Sequence, residues 1–219
     1  MTQEIEAPQR RSVSRAPRSA TVLKGRLLAA QRREVDAGLE WVADDPMVEA
    51  AAARITGARR RFVLGAATSF TYASLLAAKL SNSLAQVTLV DGTIVRPLDV
   101  LSDVRESDVL IVVSLRRYRN YTIDNAIPFA QSGGSLVVIT DSEENPLVQH
   151  ATEAVVIPSV ADAAEGDLPL HPETPHAAPA VVALVIDVLA ALSSASAKGA
   201  GRRFAERERL ASELGLHRD

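Results

Sequence analysis

A short apolar run leads into a turn of small residues and two hydroxyl side chains in the stretch Arg61-Phe62-Val63-Leu64-Gly65-Ala66-Ala67-Thr68-Ser69. Comparable runs, rich in β-branched residues, recur at 87–90, 109–113, 136–139 and 154–157. Their apolar residues mostly occupy successive positions, a pattern typical of parallel strands that are covered on both faces. The sequence therefore predicts five buried strands, the first of them at 61–64.

Helical segments fit between these strands, at 70–83, 98–104 and 121–131, with a shorter turn at 146–150. Strands that alternate with helices indicate a doubly wound α/β fold with right-handed crossovers. We expect a five-stranded parallel sheet in the flavodoxin-like order 2-1-3-4-5, preceded by a helical N-terminal extension. In that order, ligands bind beyond the carboxyl ends of the first and third strands.

The chain divides into four predicted segments. Residues 1–20 form a basic flexible arm, and residues 21–57 a helical extension in which Asp45 caps a second helix with Pro46 at its first position. The α/β domain covers 58–196. It includes a proline-containing loop at 158–179 and an apolar helix at 180–192 that must be buried in the domain or against a partner. Residues 197–219 form a charged helical tail.

Composition excludes several classes of protein. A hydrophobic fraction of 47% and a charged fraction of 23% are ordinary for a globular chain, and the net charge of −3 argues against a dedicated nucleic-acid binder. The absence of cysteine excludes disulfides and thiolate chemistry. The four histidines lack the spacing of a metal site, and the apolar stretch at 179–192 is too short to span a bilayer. We therefore expect a cytoplasmic protein with no metal, no cofactor and no membrane partner.

The turns after the first and third strands carry hydroxyl and guanidinium groups. Such groups at helix N-termini suit an anion such as phosphate. The predicted ligand-binding residues are Gly65, Thr68, Ser69, Ser114, Arg116, Arg117, Arg119 and Thr122. Each has a simpler interpretation, because Thr68 or Ser69 alone is an ordinary N-cap and the arginines alone are a solvated loop or a subunit contact. The first turn has one glycine where a dinucleotide fingerprint needs three, and no Walker lysine follows it.

Three segments resemble the sugar isomerase (SIS) domain: Val63-Leu64-Gly65-Ala66-Ala67-Thr68-Ser69, the run from Asp108 to Tyr118 that ends Ser114-Leu115-Arg116-Arg117-Tyr118, and Thr140-Asp141-Ser142 with Asn145-Pro146-Leu147. The second and third are especially similar to the ligand-sensing domain of MurR/RpiR-type transcriptional regulators. The resemblance covers roughly residues 48–192. It implies a phosphosugar site in which Ser69, Ser114 and Thr122 grip the phosphate, and homodimers or homotetramers that pack through the N-terminal and last apolar helices.

Two departures from that family matter. The segment before the first strand is too short to hold the helix-turn-helix domain of such regulators, and Arg119 stands where related regulators have a serine. The resemblance also implies that isomerase members carry a glutamate at the start of the last apolar helix, where this chain has Pro179. The remaining candidates for a catalytic base are His176, Glu143 and Glu144, each of which is more simply a surface residue.

The sequence thus favours a non-catalytic sensor of a phosphorylated sugar or amino-sugar, acting in the regulation of carbohydrate metabolism. Two alternatives stay open. One is an aldose-ketose sugar-phosphate isomerase, in which a carboxylate or histidine moves a proton between adjacent carbons. The other is an RpiR-like regulator that contacts DNA directly, through its basic arm, or through a partner.

Overall fold

The computed structural model describes residues 20–158 and 177–216, and in them five parallel strands form one sheet. The strands are β1 (Arg60–Gly65), β2 (Val87–Val90), β3 (Asp108–Ser114), β4 (Ser135–Thr140) and β5 (Glu153–Val156). Their order is β2-β1-β3-β4-β5. The predicted α/β class and strand order are confirmed, and each predicted strand is found within a residue or two of its expected bounds.

The helices follow the predicted alternation. They are α1 (Ala20–Asp44), α2 (Pro46–Gly57), α3 (Thr68–Ser81), α4 (Pro97–Leu101), α5 (Asn120–Gln131), α6 (Pro179–Ser196) and α7 (Ala200–Glu213), with a 3₁₀ helix at Val148–His150. Asp45 caps α2 as expected, because its carboxylate accepts a hydrogen bond from the backbone N–H of Met47 at 2.7 Å. The arm at 1–19, most of the loop at 158–179, and His176 lie outside the described residues.

The sheet separates two apolar cores, since successive strand residues point to opposite faces. One core packs Val63, Ile111, Val137 and Ile139 against α2, α3 and α6. The other packs Phe62, Leu64, Leu110, Val112 and Val138 against α4 and α5. Burial on both faces explains why β3 is apolar from Val109 to Val113.

Helix α6 is long and apolar enough to cross a membrane by length and composition. In the structure it is a core helix, because its buried residues contact α2 and α3 within the first apolar core. Helix α1 packs on α6 through Gly38, the one buried residue of α1. A Cβ atom at Gly38 would lie 2.8 Å from both γ-methyl groups of Val181, so the two helices meet at the glycine backbone.

Arg61 joins three elements at the amino-terminal edge of the sheet. Its guanidinium donates to the carbonyl oxygens of Ile55 at 2.7 Å, Thr56 at 2.8 Å and Ala85 at 2.9 Å. The first two are carbonyls from the last turn of α2, which have no partner within the helix. Burial lowers the pKa of Arg61. The charge is retained there because a guanidinium is protonated across the physiological range.

We predict that Arg61→Met destabilises the protein by about 2–4 kcal/mol, because buried carbonyl groups lose a charged donor. Urea unfolding followed by circular dichroism measures the change. Arg59→Met is the matched control, since Arg59 is exposed and lies two residues earlier in the chain. A loss at Arg61 no larger than that at Arg59 would show that the three hydrogen bonds do not stabilise the fold.

Candidate functional site

Two turns meet at the carboxyl edge of the sheet. Strands β1 and β3 pair in parallel with Gly65 opposite Val113, so the chain leaves both strands at the same level. The backbone N–H of Leu115, which follows β3, donates to the hydroxyl of Ser69 in α3 at 3.3 Å. The structure therefore brings Ser69 beside Ser114, and we call residues 65–69 and 114–122 the two-turn site.

The first turn is tight because Gly65 lies against the start of α3. A Cβ atom at Gly65 would lie 2.6 Å from the carbonyl oxygen of Ser69 and 3.0 Å from the β-carbon of Ala73. Ala67 has φ 53° and ψ −126°, a conformation that side chains other than glycine rarely adopt. Strained backbone of this kind clusters at binding sites.

The hydroxyls of the first turn do not cap α3. The helix begins at Thr68, its N-cap is Ala67, and no side chain bonds to the free N–H groups there. The interpretation of Thr68 or Ser69 as an ordinary N-cap is therefore wrong. Thr68 is exposed, whereas Ser69 is buried and its hydroxyl faces the turn after β3.

The second turn holds hydroxyl groups that are buried and not hydrogen-bonded within the described chain. Ser114 is 3% exposed, and its hydroxyl has no partner. The buried Tyr118 hydroxyl makes no hydrogen bond of normal geometry, although it lies close enough to the Arg116 guanidinium to raise the pKa of that group. Thr122 is buried in the first turn of α5. A buried polar group without a partner points to a ligand or water, because leaving it unpaired costs free energy.

The turn after β4 supports the second turn from the other side. The carboxylate of buried Asp141 accepts the backbone N–H of Arg116, with both oxygens at 3.2 Å. The side-chain amide of Asn145 donates to the carbonyl of Ser114 at 3.0 Å and to the hydroxyl of Thr140 at 2.9 Å. The sequence analysis quoted Asp141 and Asn145 in a motif but gave them no role. Their role in the structure is to hold the turn after β3.

The three arginines of the second turn differ in their contacts. The Arg116 guanidinium donates to the Ser142 hydroxyl at 2.9 Å and forms an ion pair with Glu144 at 3.4 Å. Arg117 and Arg119 are exposed, and neither forms an ion pair with the described part of the chain. Arg119 is the N-cap of α5 and makes no side-chain capping bond. Two cations are thus available to an anion at this edge. The Arg116–Arg117 peptide bond is cis.

The turn after β2 borders α5 but offers no free carboxylate. Asp91 accepts the backbone N–H groups of Thr93, Ile94 and Val95, and these hydrogen bonds, that of Thr93 first, lower its pKa. Burial, followed by the charge of Asp91, raises the pKa of Tyr121. A Cβ atom at Gly92 would lie 2.8 Å from the Tyr121 hydroxyl. Asp91 therefore serves its own turn.

The candidate bases are peripheral where they can be seen. Glu143 and Glu144 are exposed after β4, and the Glu144 side chain is 84% exposed. His176 is outside the described residues. Within 20–158 and 177–216, no group of three or more His, Cys, Asp or Glu side chains could hold a metal ion. The arrangement is chemically suited to binding an oxyanion, through hydroxyls, two helix N-termini and guanidinium groups.

Comparison with known proteins agrees with this geometry. Residues 54–170 match the family model of the SIS domain. No sequence of a curated protein matches the chain significantly.

Several solved structures share the fold. The sugar isomerase domain of an RpiR transcription factor from Sphaerobacter thermophilus superposes with a TM-score of 0.70 at 19% identity, over 90% of this chain and 99% of that one. The Vibrio vulnificus NanR protein, complexed with ManNAc-6P, gives 0.66 at 17% identity, over 89% of this chain and 73% of that one. The protein c3406 of E. coli CFT073, in complex with arabinose 5-phosphate, gives 0.60 at 25% identity, over 80% and 92%.

We predict that Gly65→Ala destabilises the protein by about 1–3 kcal/mol, because the new methyl group must displace the backbone of α3. Thermal or urea unfolding measures the change. Gly57→Ala is the control, since a Cβ atom there has no neighbour within 4 Å. Equal effects of the two substitutions would contradict the close approach of β1 and α3.

Ala67→Gly should act in the opposite direction. Relief of strained backbone, worth about 1–3 kcal/mol, outweighs the entropy of an added glycine, about 0.5–1 kcal/mol, so we expect a net gain of about 1 kcal/mol. Ala66→Gly adds the same entropy without relieving a positive φ, and it should destabilise. If both variants lose stability equally on urea unfolding, the strain at Ala67 is absent.

Proposed function

Because the chain belongs to the SIS-domain family, we propose that it binds a phosphorylated sugar or amino-sugar at the two-turn site and acts as a sensor without turnover. The observation that carries this proposal is the buried hydroxyl of Ser114, which has no partner in the described chain and lies beside the Ser69 hydroxyl. The proposal places the protein in the cytoplasm, as a homodimer or homotetramer.

The phosphate would lie between the two turns. Hydroxyls from Ser69, Ser114 and Thr122 supply short-range donors, and the N-termini of α3 and α5 supply a positive dipole end. Arg117 and Arg119 add two cations that no carboxylate of the described chain neutralises. A dianionic group is favoured by all of these groups, whereas a neutral sugar is favoured by few of them.

The similar structures support a phosphosugar as the class of ligand. The NanR structure holds ManNAc-6P, and the E. coli CFT073 structure holds arabinose 5-phosphate. Both ligands carry a phosphate on a small sugar, which matches the anion chemistry of the two turns. The Arg116-Arg117-Tyr118 motif, which resembles that of MurR/RpiR-type regulators, supports a regulatory role.

The absence of turnover rests on the surroundings of the site. Pro179 begins α6, so a residue that cannot accept a proton occupies the helix start where the resemblance implies a glutamate in isomerases. Glu143 and Glu144 are exposed, and Glu144 pairs with Arg116. None of these groups has the buried setting that usually adjusts a general base to neutral pH.

We predict that calorimetry across a panel of ManNAc-6P, arabinose 5-phosphate and fructose 6-phosphate detects binding by the wild type. Ser114→Ala should weaken it by about 1.5–3 kcal/mol, roughly 10- to 100-fold, because a hydrogen bond to a charged group is lost. The control is Ser107→Ala, since Ser107 precedes the same strand at its opposite end and is exposed. Absence of binding to the whole panel would overturn the proposal.

Turnover and DNA contact have separate tests. Incubation with a bound sugar phosphate in D₂O, followed by NMR, should show no deuterium at the carbon beside the carbonyl, and wash-in would establish an isomerase instead. Retention on DNA at low salt that disappears on deleting residues 1–33 would indicate direct DNA contact through the basic arm.

A further inference from the structure

Glu144 contacts the guanidinium of the one arginine in the two-turn site that is already engaged. We propose that Glu144 is a built-in competitor for the bound anion: it draws Arg116 toward the turn after β4 and so sets the affinity of the site. This inference rests on the proposed function and adds a residue that tunes it, outside the set of groups that hold the ligand.

The contacts of Arg116 define its position. Its backbone N–H is fixed by the carboxylate of Asp141, so the start of the side chain cannot move far. Its Nη2 atom donates to the Ser142 hydroxyl at 2.9 Å and to a Glu144 carboxylate oxygen at 3.4 Å. The Ser142 hydroxyl also accepts the backbone N–H of Glu144 at 3.1 Å, which ties the three residues into one cluster.

The order of the strands shows which way the guanidinium is drawn. Ser69 lies on the β1 side of β3, and it reaches the turn after β3 through the N–H of Leu115. Ser142 and Glu144 follow β4, on the other side of β3. An anion held between Ser69 and Ser114 therefore attracts Arg116 from one side, while Glu144 attracts it from the other.

The ion pair is weak enough to be exchanged for a ligand. The Glu144 side chain is 84% exposed, whereas that of Arg116 is 27% exposed. Water and salt screen such a pair, which makes a small contribution. A phosphate carries nearly twice the charge of a carboxylate and binds arginine bidentately. The competition therefore favours phosphate groups over singly charged anions.

The test compares two isosteric charge removals at neighbouring residues. Glu144→Gln removes the charge that pairs with Arg116 and leaves an oxygen that can still accept a hydrogen bond. Glu143→Gln removes the same charge from an exposed residue that has no contact with Arg116 in the described chain. Long-range electrostatics affects both variants alike, so the difference between them measures the contact.

We expect Glu144→Gln to bind inorganic phosphate and the tightest member of the panel about two- to fivefold more tightly than Glu143→Gln, the range that an exposed ion pair is worth. Calorimetry at low and physiological ionic strength measures this, and the gain should shrink as salt rises. In an Arg116→Ala background, the difference between the two variants should vanish, because the competed group is gone.

Each result bears on the inference. Equal affinities of Glu144→Gln and Glu143→Gln, or weaker binding by Glu144→Gln, would overturn it, as would a difference that persists in the Arg116→Ala background. Wild-type binding with equal variants overturns this inference and leaves the proposed function intact. Failure of the wild type to bind any member of the panel overturns both.

Discussion

The parallel pairing of β1 with β3 is the constraint on which the rest of the structure depends. Six consecutive residue pairs, from Arg60 with Asp108 to Gly65 with Val113, fix the two strands in register. Every residue of β3 is buried, so a shift of one position would turn apolar side chains out of both cores. The register therefore determines that the two hydroxyl-bearing turns end at the same level, and the bond from Leu115 to Ser69 closes the gap between them.

Buried polar groups divide into those that support the frame and those that face the ligand side. Arg61, Asp141 and Asn145 are satisfied by backbone groups of neighbouring elements, and they hold helix ends and turns in place. Ser114 is buried without such a partner. Since most buried polar groups in folded proteins are hydrogen-bonded, this contrast separates structural residues from candidate binding residues more sharply than residue type does.

Much of this arrangement could be predicted from sequence, because its causes are local. Continuous apolar runs identify strands that are covered twice, and the positions of the turns follow from the rule that parallel strands share an edge. The side-chain partners could not be predicted. The bond between Asn145 and Ser114 joins residues on different strands, and the pairing of Arg116 with Glu144 spans two turns. The positive φ of Ala67, which moves the start of α3, has no signal in the sequence, since alanine seldom adopts it.

The contact between Gly38 and Val181 has a consequence for how this chain can change over generations. Along α1 nearly every position faces solvent at least in part, so most substitutions there meet no steric barrier. At Gly38 even the smallest side chain collides with Val181, and relief requires a smaller residue on the facing helix. The two positions are therefore linked: homologues that replace the glycine should carry a compensating change opposite it, although the surrounding helix diverges freely.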